Sequence, residues 1–393
     1  MSHPSARAGR QVRAICAVAL LAMPAAGQAA TLQVLDTVMS GLSNPRGMTF
    51  GPDGALYVAE AGRGGDLGTL EGATGTLNFG LSGGISRYLA GVQDRIVSGM
   101  ASLADSSGSD ASGVQDIAFD AGGTMYAVLG LGSTPEQRDT LSGIPGSEML
   151  GTAIRFAGGA ASVFADIAAY EGANDPAGDG VDSNPFSIVA TPGGLIVSDA
   201  GANAVLAVDS AGAISVEAVL PPAPNPLPFG PPTYQAVPTG IALSPDGVLA
   251  IGQLTGFPFP VGAAQILTPA GGGLDVIAGG FTNLIDVAYG SDGTLYALEM
   301  ASNSLLDPSA GGALYSVDGS GTKTLLLGGL LAPTGLAVGA DGRIFVAING
   351  SSPDQGSVVL IGQAPAPVPL PASGLMLAGA ALSCALLRRR RRA

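Results

Sequence analysis

The 393-residue chain has no tryptophan, a single histidine and two cysteines. The histidine is His3, and the cysteines are Cys16 and Cys384. All three lie in the two end segments, so the 330 or so residues between them hold no His, Cys or Trp. That middle region is therefore denied disulfides, thiol nucleophiles, Cys/His zinc sites and Ser-His-Asp triads. Positive charge is also scarce. Eight of the 16 Lys and Arg residues sit in the end segments, while all 30 Asp and Glu lie between them. A surface this acidic disfavours nucleic acid and anionic lipid, and suits divalent cations or cationic partners if it is not simply a solubilising coat. Long helical periodicity is missing as well.

What is present begins with an export signal. Arg7, Arg10 and Arg13 precede a short apolar run from Ala14 to Met23, then small residues up to Ala30. This is the secretory pattern, with cleavage expected after Ala29 or Ala30. The run of roughly ten residues is too short to span a bilayer, and no twin-arginine pair directs the folded-protein route. Residues 1–30 are thus expected to be a signal peptide. The C-terminal segment, 364–393, reads as a proline-rich linker, a short transmembrane helix and an arginine cluster. Val368, Pro369, Leu370, Pro371 and Ala372 precede an apolar stretch that ends at Arg388, Arg389, Arg390, Arg391 and Arg392. Those arginines would stay cytoplasmic. Apart from a plain tail anchor, the three parts in this order resemble the PEP-CTERM sorting signals of Gram-negative bacteria, in the VPLPA-type variant. The resemblance implies an exosortase-type sorting peptidase as partner. It also implies transient inner-membrane anchoring with the domain in the periplasm, then release to the outer surface or extracellular matrix.

Between the ends, 31–363, a unit recurs: an apolar strand, a Gly-containing turn and a second apolar strand. The clearest copies are NPRGMTFGPDGALYVAE at 44–60 and IDVAYGSDGTLYALE at 285–299. The turn glycines are expected at Gly54, Gly123, Gly193, Gly247, Gly293 and Gly342. Asp-Gly between apolar runs is a hairpin signal, since glycine accepts positive φ. A third strand follows in every unit and a fourth in five of them, a period that suits propeller blades. The sixth unit lacks a fourth strand, yet a spare strand at 32–39 precedes the first. An all-β, six-bladed propeller closed by that N-terminal strand leaves no open edge. A pair of β-sandwiches is the competing arrangement.

The long loops fall on one face of such a ring, where binding usually resides. Four features there carry the chemistry. Glu60, Asp199, Gln253 and Glu299 end the second strands at equivalent positions. Three carboxylates converging on the channel mouth would hold Ca²⁺; the alternative is that they bond backbone N–H groups. Asp116 and Asp286 match one another ahead of the first strand, where other units are expected to carry glycine; they are candidates for a base, or for the same structural duty. The acidic loop 171–182 does not have EF-hand spacing and reads as solvated. Finally, the proline-rich stretches around Tyr234 and around Phe257 and Phe259, next to Gln253, set aromatics on neighbouring loops. They offer a rigid surface for sugars or extended ligands, unless the phenylalanines plug the channel.

Six stretches resemble the ScyD/ScyE family of secreted bacterial propellers, named for an association with scytonemin pigment synthesis. They are NPRG at 44–47, VAEAGRG at 58–64, DSNP at 182–185, DAG at 199–201, QLTGFPFPVG at 253–262 and FTNLID at 281–286. The resemblance implies an exported propeller without an established catalytic mechanism. This chain lacks the loop cysteines common in relatives, and has Gln115-Asp116 where they often read His-Asp. The expectation is a non-catalytic binding or scaffold protein of the cell surface or matrix, with exopolysaccharide or other envelope components as partners. The membrane is involved only through the tail. The competing expectation is a Ca²⁺-dependent lactonase-type hydrolase or isomerase. In that reading Glu60, Asp199 and Glu299 are metal ligands and Asp116 or Asp286 is the base. A quinone-dependent sugar dehydrogenase would need a channel histidine, which is missing.

Overall fold

The computed structural model describes residues 32–72 and 75–363. The segments expected to be a signal peptide (1–30) and a sorting signal (364–393) lie outside the described residues. Among the described residues no helix is long and apolar enough to cross a membrane.

Six antiparallel sheets follow one another around a ring. The innermost strands are Pro45–Phe50, Val114–Phe119, Pro185–Thr191, Pro238–Leu243, Leu284–Tyr289 and Gly335–Val338. Each turns tightly into a second strand, and these are almost wholly buried, as in Leu56–Glu60 and Ile344–Ile348. A Cβ-free residue is needed at the tips: Gly54 and Gly342 have φ of +76° and +78°. In the third blade the left-handed position is Gly194 (φ +144°), one residue later than the expected Gly193. A Cβ at Gly194 would stand 2.0 Å from the Val208 carbonyl oxygen.

The sixth blade closes as the strand count requires. Its outer strand is Leu32–Leu42, paired antiparallel with Gly356–Gln363, from Leu32 opposite Gln363 to Leu42 opposite Gly356. Met39 and Leu42 are buried there, 1% exposed each. The seam between the first and last blades is further fixed by Thr334, whose hydroxyl donates to the Pro45 carbonyl (2.7 Å), and by an edge-on contact of Phe50 with Phe345 (5.7 Å between centroids). Cores of small and branched residues lie between successive blades rather than at the axis. That is why Ala, Val and Leu dominate the strands.

Two excursions differ from the expected loops. In the first blade the third strand starts early, at Gly75, and runs to Leu89 between Gly68–Gly72 and Val92–Ala104. In the second blade the long loops contain helices Pro135–Asp139 and Ile167–Asn174. Asp166 caps the latter by accepting from the Ala169 amide (2.9 Å), and Arg138 grips the same carboxylate at 2.8 and 3.0 Å.

Candidate functional site

One position recurs on all six innermost strands: Gly47, Asp116, Ser187, Gly240, Asp286 and Gly335. Asp116 accepts from the Ser187 hydroxyl (2.7 Å) and Ile188 amide (3.0 Å) of the next blade, and from its own following amide, Ile117 (2.8 Å). Its Oδ1 fills the notch left by Gly47 in the preceding blade, 2.1 Å from where a Cβ would stand. Asp286 repeats the arrangement. It accepts from the Leu336 amide (2.7 Å) and the Val287 amide (2.8 Å), and lodges against Gly240. Each aspartate therefore ties three consecutive blades, one set being blades one to three and the other four to six.

Blades two and five stand opposite in a six-membered ring, so the two carboxylates share the channel. Both line a cavity of roughly 340 Å³ that runs along the innermost strands to part-exposed Phe50, Leu243 and Tyr289 at their turn-side ends. Burial raises the Asp116 pKa to about 6 against the opposing hydrogen bonds from Ser187, Ile188 and Ile117. Burial, and then the charge of Asp116, raises Asp286 well above the ordinary carboxylate range.

Glu60, Asp199 and Glu299 sit at equivalent strand ends, but their carboxylates stay inside their own blades. Glu60 accepts from the Ser43 amide (2.8 Å) and Ser86 hydroxyl (2.5 Å), and pairs with Arg95. Glu299 accepts from the Thr282 amide (2.8 Å) and Tyr315 hydroxyl (3.2 Å), with Lys323 3.9 Å away. Asp199, one methylene shorter, accepts from the Asn184 amide and Ser183 hydroxyl (both 2.6 Å) and from the Gly201 and Ala202 amides. All three thus pin the loop that leads into the blade's innermost strand. Convergence at the channel mouth fails for a simple reason: the second strand is one step out from the axis, and the nearest unpaired donors are that loop's amides. Among the described residues no group of three or more His, Cys, Asp or Glu is arranged to hold a metal ion.

The proline-rich loops do come together. Residues 235–237 and 254–256 are zipped by three backbone hydrogen bonds, Leu254 to Val237, Thr255 to Ala236 and Gly256 to Gln235. Asn225 folds the preceding hairpin on itself, its amide nitrogen donating to the Phe229 and Pro231 carbonyls (2.7 and 2.8 Å). Phe257 faces Phe229 (6.3 Å) and Phe259 (6.1 Å), and both Phe257 and Phe229 are about half exposed, at 48% and 49%. Phe257 therefore faces solvent rather than plugging the channel. Beside this cluster, Tyr234 and Gln253 line a cleft of roughly 630 Å³ between blades three and four, walled by Pro221, Pro224, Leu274 and Val276. Of the four candidates, Tyr234 and Gln253 share the cleft, while Phe257 and Phe259 form the adjoining aromatic surface.

No family model matches the chain, and no curated protein matches it. Solved structures do resemble it. The PQQ-bound aldose sugar dehydrogenase from Streptomyces coelicolor has a TM-score of 0.50 and 15% identity, over 84% of this chain and 97% of that one. A proposed oxidoreductase (glucose dehydrogenase) from Thermus thermophilus has a TM-score of 0.50 and 18% identity, over 84% and 100%. Regucalcin, a calcium-binding protein from Agrobacterium tumefaciens, scores 0.47 at 13% identity, over 85% and 94%. At these identities the likeness speaks to the fold, a six-bladed propeller, and to nothing finer.

Proposed function

We propose that this chain is an exported, surface- or matrix-associated propeller of the ScyD/ScyE type that binds an extended neutral polymer, such as an exopolysaccharide, without transforming it. The observation that carries this reading is the Phe229–Phe257–Phe259 cluster, with Phe229 and Phe257 about half exposed, beside the Tyr234–Gln253 cleft. Flat aromatic faces held by prolines cost little conformational entropy on binding, and they suit the apolar faces of sugar rings. A neutral polymer is favoured because 30 acidic residues would repel an anionic one. The sorting tail, with its exosortase-type peptidase, would deliver the ring to the envelope.

The lactonase-type alternative has less support. Glu60, Asp199 and Glu299 are each taken up by donors of their own blade, and both oxygens of Asp116 and of Asp286 already accept hydrogen bonds.

Two measurements test the proposal. Retention of the purified protein in gels containing neutral exopolysaccharide should be lost in the Phe257→Ala, Phe229→Ala double variant; equal retention of both proteins ends the binding reading. The mass of the secreted form should lack the residues beyond about Pro367, and an intact chain held in the inner membrane ends the sorting reading.

A further inference from the structure

The helix Ile167–Asn174 brings one side chain into an environment that the rest of the chain does not account for. Glu171 is completely buried, at 0% exposure, and neither of its carboxylate oxygens has a hydrogen-bond partner. Its surroundings are of one sign. Burial, and then the charges of Asp199, Asp175 and Asp179, push its pKa up to about 8. The amide of Asp182 points its way without closing a hydrogen bond. Asp182 in turn has a buried oxygen, Oδ1, with no partner.

One neighbouring acid, Asp199, is already fully engaged, which isolates Glu171 further. All the donors around Asp199 are committed to Asp199. The helix cannot simply rotate Glu171 outward, because Asp166 and Arg138 fix its first turn. At its last turn the Asp175 amide closes on the Glu171 carbonyl (2.8 Å).

A buried carboxylate without partners is among the costliest groups a fold can hold. Protonation is only a partial remedy, since the resulting O–H has no acceptor and the C=O no donor. A hard cation remedies both, because it satisfies oxygens directly and offsets the surrounding negative charge.

We propose that the loop joining blades two and three, residues 171–182, is a Ca²⁺ site, with Glu171 as its buried ligand, Asp182 beside it, and Asp175 and Asp179 on its open side. The acidic loop that reads as merely solvated in the sequence is thus a cation loop built on a helix. No three acidic side chains among the described residues yet stand at metal-ligand spacing, so exposed Asp179, part-buried Asp175 and loop carbonyls complete the shell by moving onto the ion. An irregular, oxygen-only shell of this sort favours Ca²⁺ over Mg²⁺, which demands a near-octahedral one. The site is separate from the blade three–four cleft and does not depend on what that cleft binds.

The test uses the secreted protein stripped with a chelator. Equilibrium dialysis should find about one tightly held Ca²⁺ per chain, with Mg²⁺ much weaker. At a hundredfold excess of Ca²⁺ over Kd the melting temperature should rise by about 4 °C. Glu171→Gln should abolish both, and in chelator at about pH 9, above the raised Glu171 pKa, should melt above the parent, since there it removes the buried charge. Asp179→Asn, at an exposed position, should weaken Ca²⁺ roughly tenfold without altering the chelator melt. Absence of a Ca²⁺ response at about 5 mM, roughly fivefold above the Kd of the weakest extracellular sites, would overturn the proposal. So would unchanged affinity in Asp179→Asn and Asp182→Asn, variants that remain informative if Glu171→Gln fails to fold. Loss of binding in Asp286→Asn with Glu171→Gln unaffected would move the ion to the channel, and equally overturn it.

Discussion

The Oδ1 of Asp286 lies 2.3 Å from where a Cβ on Gly240 would stand. A carboxylate in one blade and a missing side chain in the blade before it are thus one fitted joint. Gly240→Ala should force the aspartate out of its place and cost about 2–4 kcal/mol. Gly47→Ala should do the same at Asp116, 2.1 Å from the corresponding point. Chemical denaturation of each variant checks this. A cost below about 0.5 kcal/mol in both would mean that the joint does not bear on stability.

The two aspartates also set a pH dependence. Both have folded pKa values raised above the unfolded one, Asp116 to about 6 and Asp286 further. A raised pKa means that the folded state binds the proton more tightly. The stability it contributes is therefore complete below about pH 4 and is lost as pH rises through the folded pKa. Asp286→Asn keeps the shape without the charge. Its melting temperature should exceed the parent's at pH 8, with the two converging near pH 4. A parent that grows more stable between pH 5 and 8, with the variant following it, would contradict this assignment.

Closure of the ring places unusual weight on Met39, buried in the outer strand of the last blade. Met39→Ala should cost about 2–5 kcal/mol. Deleting 32–42 should expose the Gly356–Gln363 edge and drive self-association. Size-exclusion chromatography of the deletion, with the parent as reference, checks the second outcome. A monomeric, stable deletion would remove the closure argument.

Binding and folding should separate at Phe257. The ring is about half exposed, at 48%, so Phe257→Ala should change stability by no more than about 1 kcal/mol. Polymer retention should nevertheless fall. Equal losses of stability and binding would mark the residue as structural.

The ring was legible in the sequence because its information is local. Asp-Gly turns between apolar runs mark hairpins, and a strand left over at one end answers a strand missing at the other. The strand-end carboxylates were legible only in part. Equivalent positions for Glu60, Asp199 and Glu299 can be read from a repeat, but not the direction in which each side chain turns. That choice depends on where the loop amides of Ser43, Asn184 and Thr282 lie. The pairing of Asp116 with Gly47 across blades spans 69 positions, and nothing short-range announces it. Glu171 was missed for the opposite reason. Surrounded by Gly, Asn and Asp, it looks like part of a solvated loop, and only the helix capped by Asp166 turns it inward. The helix signal was present, since Asp166 precedes the apolar Ile167 and Ala168, but it is short and weak.

The pairing of Leu32 with Gln363 has a mechanical consequence. The first and last residues of the ring are neighbours across one strand pair, about 5 Å apart. Tension applied between them would open the sixth blade pair by pair, as a zipper opens, rather than shear it all at once. Joined instead by a short peptide link, the same corner would make the ring seamless, and new ends could be cut in a loop between two blades, leaving the strands of every blade on one continuous segment.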